Sequence, residues 1–177
     1  MRVEIKKLTL MAALTSAALI VFIIEAQIPL PIPVQGAKLG LANTITLFAL
    51  FYRHSKNRIR LTTADAFMIL VCRMILGAVF TGRIVAFAFS VAGGLLAFAA
   101  MAVTRRFVTD RQVWVCGAIG AVFHNIGQIG AAMIITGSPA IAALLPLLIT
   151  AGIITGVITG LAAQFILSAL KGDKYAG

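Results

Sequence analysis

The chain has 177 residues, of which 61% are hydrophobic and only 11% are charged. A soluble domain carries roughly 25% charged residues, and a soluble core of this size cannot hide so large an apolar excess. Composition therefore excludes an ordinary soluble domain. The net charge of +10 does not indicate a single-strand nucleic-acid binder, because the aromatic residues do not alternate with the basic ones as that function requires.

The apolar residues fall into runs that predict an all-α integral membrane protein, with residues 1–177 forming one six-helix domain. A spanning helix needs about 20 apolar residues, so six spans leave room only for short loops. The predicted spans are 8–26, 39–52, 62–80, 84–103, 113–135 and 141–170. The second span is short, and the sixth is expected to be irregular near Pro146.

Lysine and arginine positions predict the orientation, because cytoplasmic loops carry an excess of both. With a cytoplasmic N-terminus, twelve of the fifteen fall on the inner side, Lys38 and Arg83 fall outside, and Arg73 lies within a span. The twelve are Arg2, Lys6, Lys7, Arg53, Lys56, Arg58, Arg60, Arg105, Arg106, Arg111, Lys171 and Lys174. We therefore expect both chain ends in the cytoplasm.

Polar residues inside the spans are costly there and usually face protein or a water-filled cavity. Arg73 and His124 each lie about 17–18 Å along their spans at 1.5 Å per residue, so we expect them at similar depth. His124 and Gln128 share a helix face. The residues predicted to line an outward-facing, ligand-binding pocket are Glu25, Lys38, Asn43, Arg73, Arg83, His124, Asn125 and Gln128. Because cations outnumber the one acid, the ligand is expected to be anionic; bonding between helices is the alternative for any single residue.

Two further patterns concern the backbone. Alternate prolines in segment 29–38 exclude a helix, so this segment is predicted to be extended, either as a lid on the pocket or as an ordinary external loop. Small residues four apart allow close helix approach. In the sixth span Gly152, Gly156 and Gly160 are expected to pack internally, while the partner of the alanine stripe on the first span stays open.

The chain resembles the Gx transporter family, often labelled heptaprenyl diphosphate synthase component I. The resemblance runs from about residue 8 to about residue 168. It rests on GAKLGLAN at 36–43, Arg73 followed by LG at 76–77, SVAGG at 90–94 and GAVFHNIGQ at 120–128.

That family is similar to the substrate-binding S components of energy-coupling-factor transporters of bacterial cytoplasmic membranes. The likeness implies that Ala13 and Ala17 dock on a coupling transmembrane subunit driven by two cytoplasmic ATPases. It does not carry over any vitamin-binding residue, because those differ between S components.

Two functions compete at this point. The first is a transport subunit that captures a small anionic solute and has no ATPase motif of its own. The second is a prenyl diphosphate synthase subunit, whose chemistry needs aspartate clusters that hold magnesium. Because the five acidic residues are never adjacent, we expect no catalysis, no metal and no cofactor. A non-catalytic subunit that binds or anchors a polyprenyl diphosphate beside a soluble synthase subunit remains open.

Overall fold

The computed structural model describes residues 2–28, 40–54, 59–82 and 84–171. This part of the chain is almost entirely helical, as expected. The six helices are α1 (Arg2–Glu25), α2 (Asn43–Phe51), α3 (Thr63–Thr81), α4 (Ile84–Thr104), α5 (Val113–Thr136) and α6 (Leu145–Lys171). A 3-10 helix, Pro139–Leu144, leads into α6, so the predicted irregularity lies just before Pro146. Two short strands, β1 (Arg53–His54) and β2 (Ile59–Arg60), pair antiparallel between α2 and α3.

Within the described part of the chain, five helical segments are long and apolar enough to cross a membrane: Glu4–Glu25, Thr63–Thr81, Ile84–Thr104, Val113–Thr136 and Pro139–Leu170. Their outer surfaces are apolar as well, with side chains such as Val79, Ile84 and Ile134 at least 72% exposed. Large exposed apolar surfaces of this kind suit lipid as the surrounding solvent. The chain is therefore a multi-pass membrane protein.

Helices α1 and α3 run parallel. Near the end of the bundle at which α1 begins, which we call the near end, Lys7 Nζ lies 2.7 Å from an Asp65 carboxylate oxygen. Towards the opposite, far end, the Phe22 ring packs on Gly77, where a Cβ would stand 2.7 Å from the ring. Because both helices point the same way, the chain between them must return from the far end to the near end.

The remaining helices alternate in direction. Two contacts show that each of the following helix pairs is antiparallel. From the first contact to the second, the residue number rises in one helix and falls in the other. These contacts are Arg73–Ser90 and Phe67–Phe98 for α3 and α4, Gly93–His124 and Met101–Cys116 for α4 and α5, Gly117–Gly156 and Trp114–Gly160 for α5 and α6, and Asn43–His124 and Leu47–Gly117 for α2 and α5.

The short helix α2 occupies the place of the second predicted span, 39–52. Its nine residues extend only about 13 Å at 1.5 Å per residue, against a bilayer core of about 30 Å, so α2 cannot cross a membrane alone. It is nevertheless a centre of the core, since Leu47, Ala49 and Leu50 are at most 1% exposed. Helix α2 is therefore a short helix packed among five long ones. It begins beside His124, which lies in the middle of α5.

Glycines bring α5 and α6 into backbone contact. A Cβ on Gly156 would stand 2.7 Å from the Gly117 carbonyl oxygen, and one on Gly160 would stand 2.6 Å from the Trp114 Cα. Gly152 leaves room for the side-chain amide of Asn125 in the same way. The prediction that the three glycines of the sixth span pack internally is confirmed.

Helix α3 begins with a capping box at the near end. The Thr62 hydroxyl accepts a hydrogen bond from the Asp65 N–H, and an Asp65 carboxylate oxygen accepts one from the Thr62 N–H. The same oxygen pairs with Lys7, so the acid ties the start of α3 to α1. Such a cap is worth about 1 kcal/mol.

Candidate ligand site

An imidazole held at both ring nitrogens lies at the centre of the bundle. The Asn43 amide lies 3.0 Å from Nδ1 of His124, and the Gln128 amide lies 2.9 Å from Nε2. All three side chains are buried, with at most 6% of each residue exposed. Gln128 reaches the ring because it is one turn further along α5, as its spacing from His124 predicts.

The two amides take complementary roles. A neutral imidazole offers one N–H donor and one lone pair, so one carboxamide presents its NH₂ group to the ring and the other presents its oxygen. Amide nitrogen and oxygen exchange places by rotation about the last side-chain bond. The pair of Asn43 and Gln128 therefore fixes the ring position of His124 for either tautomer.

Two glycines make the space for this ring. A Cβ on Gly40 would stand 2.8 Å from Cδ2 of His124, and a Cβ on Gly93 would stand 2.8 Å from both Cε1 and Nδ1. Gly40 also has φ of +82°, a left-handed backbone that favours glycine. The imidazole is thus packed between α4 and the turn that leads into α2.

The Glu25 carboxylate binds the start of α2. Its Oε1 accepts hydrogen bonds from the Gly40 N–H at 2.5 Å and the Leu41 N–H at 3.2 Å. The first backbone N–H groups of a helix have no partner within the helix and carry its positive dipole end. A buried acid, 4% exposed, therefore closes the N-terminal turn of α2 and ties it to the end of α1.

Arg73 is the buried cation of the site. The residue is 2% exposed, and its guanidinium lies 5.4 Å from the centroid of the Phe22 ring. Nη1 donates to the Ser90 hydroxyl over a long 3.4 Å, while Nε and Nη2 have no hydrogen-bond partner among the residues that the structure describes. Glu25 is near enough to attract this charge, and it follows Phe22 by three residues on the same face of α1.

Arg73 and His124 approach the same stretch of α4. A Cβ on Gly94 would stand 3.6 Å from Nη2 of Arg73, while the preceding Gly93 faces the His124 ring. Consecutive residues of one helix thus border the guanidinium and the imidazole. The two side chains lie at the same level of the bundle.

The other predicted site residues lie elsewhere or are not described. The Asn125 amide donates to the Leu148 carbonyl oxygen of α6 at 2.5 Å, so it serves the contact between α5 and α6 rather than the imidazole. Lys38, Arg83 and the whole proline-rich segment 29–38 lie outside the described residues, as does any lid that this segment forms. On α1, Ala13 is exposed and Ala17 is half-buried.

A small cavity lies beside the start of α2, between α2, α5 and α6. Its volume is about 10 Å³, which is about the space that one water molecule needs. The buried Thr44 hydroxyl lines it without a hydrogen-bond partner in the described part of the chain. This cavity does not have the size of a solute-binding site, so the outward-facing pocket stays a prediction.

The pattern of polar residues in the sequence does not predict several contributors to the site. Phe22 and Ser90 contact the Arg73 guanidinium, and the backbone N–H groups of Gly40 and Leu41 bind Glu25. Backbone donors leave no mark in a sequence. Ser90 lies three residues before the paired glycines Gly93 and Gly94 in an otherwise apolar run, and this motif is the sequence signal that pointed to it.

Among the described residues there is no group of three or more His, Cys, Asp or Glu side chains placed to hold a metal ion. The donors that surround Arg73 and His124 are instead amides, a hydroxyl and backbone N–H groups. These groups suit the recognition of a polar or anionic ligand by hydrogen bonds.

Comparison with known proteins gives one match. The family model described as heptaprenyl diphosphate synthase component I matches residues 14–166. No curated protein and no solved structure matches the chain, so the similarity to transporter S components stays a prediction. Because the family model covers well over half of its length, the chain belongs to the heptaprenyl diphosphate synthase component I family.

Proposed function

We propose that this chain is a non-catalytic membrane subunit that binds a small anionic ligand inside its helix bundle, as the capture subunit of a transport system. The observation that carries the proposal is Arg73. An arginine residue that is 98% buried and has two nitrogens unpartnered among the described residues is unusual in a membrane protein. Charged residues inside a membrane are expensive and generally functional.

The described partners of Arg73 leave two of its nitrogens without a hydrogen bond. A hydrogen bond of 3.4 Å is weak, and a ring contact contributes about 0.5–2 kcal/mol, whereas a buried ion loses several kcal/mol of hydration. The Glu25 carboxylate attracts the charge, but its Oε1 is already bound by the Gly40 and Leu41 N–H groups. A ligand carboxylate or phosphate would supply two oxygens to Nε and Nη2 in the bidentate geometry that guanidinium favours. The ligand is therefore anionic.

Composition supports a role without catalysis. The chain has five acidic residues, none adjacent to another, and the described acid nearest the site, Glu25, already binds backbone N–H groups. Transfer of a prenyl group from a diphosphate depends on carboxylates that hold magnesium against the leaving group. A partner subunit would have to supply them.

The family description favours a second candidate, a membrane component of a heptaprenyl diphosphate synthase. In that role the ligand is a polyprenyl diphosphate, with its diphosphate on Arg73 and its tail along the apolar helices. A soluble synthase subunit is then the partner. Both candidates give Arg73 the same task and differ in what is attached to the anionic group.

The proposed topology has six crossings with both ends in the cytoplasm of a bacterial cell. The parallel course of α1 and α3 supports it, because the chain through α2 must return to the near end between them. Basic residues such as Lys7 and Arg105 at the near end support a cytoplasmic position of that end.

We propose the exposed stripe on α1 as the docking surface for a membrane partner, such as a coupling subunit with its ATPases. Ala13 is exposed and Ala17 half-buried, and small side chains let another helix approach closely. Ala13→Trp should abolish energised uptake while ligand binding persists, as followed with labelled ligand in cells and in detergent. Unchanged uptake would remove the coupling partner from the proposal.

The ligand identifies the function directly. The full chain, purified gently in detergent, should carry a bound ligand that mass spectrometry detects. A vitamin-like acid or cofactor precursor supports transport, and a polyprenyl diphosphate supports the synthase component. Arg73→Ala should lose the ligand, whereas the control Arg106→Ala, which removes an exposed arginine after α4, should keep it. A ligand retained by Arg73→Ala would overturn the proposal.

A further inference from the structure

The N-terminal turn of α2 is an anion site that the chain itself fills. Its carbonyl oxygens at Gly40, Leu41 and Ala42 accept bonds from the N–H groups three residues later. The N–H groups of Gly40 and Leu41 remain for an outside acceptor, and Oε1 of Glu25 takes both. The site is polar backbone at the centre of the bundle, which survives in a membrane protein only against protein or a cavity.

A second observation points to a ligand at the same place. Arg73, with only 2% of its surface exposed, leaves Nε and Nη2 without a hydrogen-bond partner among the described residues. Its guanidinium lies over Phe22, one turn before Glu25 on α1, and the Glu25 charge acts on it. The α2 N–H groups and the guanidinium both attract negative charge, and Glu25 is the described carboxylate that binds the first and lies one turn from the ring under the second.

We propose that the Glu25 carboxylate occupies the position that the anionic group of the ligand takes, and that Glu25 leaves this position when the ligand binds. This inference rests on the proposed binding function and adds the mode of recognition. The ligand group is a carboxylate or a phosphate bound by the Gly40 and Leu41 N–H groups on one side and by Arg73 on the other. Glu25 competes with it.

The competition follows from charge. Two anionic groups a few ångströms apart in a site of low dielectric repel each other strongly, so the ligand and Glu25 cannot both bind the same two N–H groups. Release of Glu25 also frees the end of α1 from the turn that leads into α2.

Glu25→Gln tests the competition because it keeps the size of the side chain and removes its charge. Binding of inorganic pyrophosphate and of glutarate to the full chain in detergent is measured by isothermal titration calorimetry. The affinity for one probe or both should rise about tenfold, which corresponds to about 1.4 kcal/mol. A gain for pyrophosphate alone identifies a phosphate ligand, and a gain for glutarate alone identifies a carboxylate ligand.

Glu4→Gln is the matched control, since it removes the same charge from an exposed position in the first turn of α1; its affinities should equal those of the unaltered chain. Should Glu25→Gln fail to give monodisperse protein, Glu25→Asp, whose shorter side chain draws the carboxylate away from Gly40, should also raise the affinity.

Affinity that is unchanged or lower in the Glu25 variants, or no binding of either probe by any of them, overturns the competition. The binding function is tested separately from the competition. If the unaltered chain binds a probe, Arg73→Met abolishes that binding and Glu25→Gln leaves it unchanged, then the ligand site stands and Glu25 is only a cap on α2. Binding that survives Arg73→Met would instead overturn the proposed function.

Discussion

Gly93 and His124 are packed so closely that the α4 backbone forms one wall of the imidazole site. A Cβ on Gly93 would stand 2.8 Å from two ring atoms of His124 and 2.9 Å from its carbonyl oxygen. The ring cannot move aside freely, because Asn43 and Gln128 hold its two nitrogens.

Gly93→Ala should therefore destabilise the bundle, although alanine favours a helix more than glycine does. Overpacking of a filled core costs roughly 1–3 kcal/mol, which should lower the unfolding temperature measured in detergent. Gly130→Ala is the control on α5, where a Cβ meets nothing within 4 Å, and it should leave that temperature unchanged or slightly higher. Equal behaviour of the two variants would contradict the packing described.

The hydrogen bond between Asn43 and His124 should appear as a coupling energy. Asn43→Ala and His124→Ala each leave a buried polar group without its partner, at about 1–3 kcal/mol. Because the second change adds little once the first is made, a double-mutant cycle on unfolding free energy should give a coupling of about 0.5–3 kcal/mol.

A matched cycle between His124→Ala and Ser168→Ala, which lies on α6 and bonds to its own helix, should give no coupling. Additive effects of the Asn43 and His124 changes would mean that the two side chains do not interact in the folded protein.

Sequence patterns anticipated the long helices well. Predicted spans 62–80, 84–103 and 113–135 differ by one residue at most from α3, α4 and α5 at each end, because long apolar runs have polar or glycine boundaries. The apolar run 39–52 contains only the nine residues of α2. Apolarity shows that a segment is buried, and it does not show whether lipid or other helices cover it.

The site was anticipated in part. The spacing of His124 and Gln128 along one helix is a local property, and the two side chains do meet. Asn43 lies 81 residues from His124, so only the packing of α2 against α5 brings them together. Asn125 shows the converse, because its side chain points about 100° away from that of its neighbour on the helix and reaches α6 instead.

Gly156→Leu should separate α5 from α6. A Cβ alone would stand 2.7 Å from the Gly117 carbonyl oxygen and 2.8 Å from the Ala118 Cα, and backbone atoms cannot rotate away as a side chain can. We expect loss of monodisperse protein on size-exclusion chromatography in detergent. Ala162→Leu makes a similar addition at an exposed position of the same helix and should be tolerated. A well-folded Gly156→Leu chain would show that this contact is not required.

Arg73→Met distinguishes a binding residue from a structural one. Methionine fills a similar volume without the charge, and replacement of buried ions by apolar side chains is often neutral or stabilising by about 1–4 kcal/mol. If Arg73 awaits an anion, the ligand-free chain should unfold at an equal or higher temperature while ligand binding is lost. Arg106→Met, at an exposed site, should change neither property. If Arg73 instead joins α3 to Ser90 and Phe22 for stability, Arg73→Met should lower the unfolding free energy by more than about 1 kcal/mol; that result would assign the guanidinium to the fold and not to a ligand.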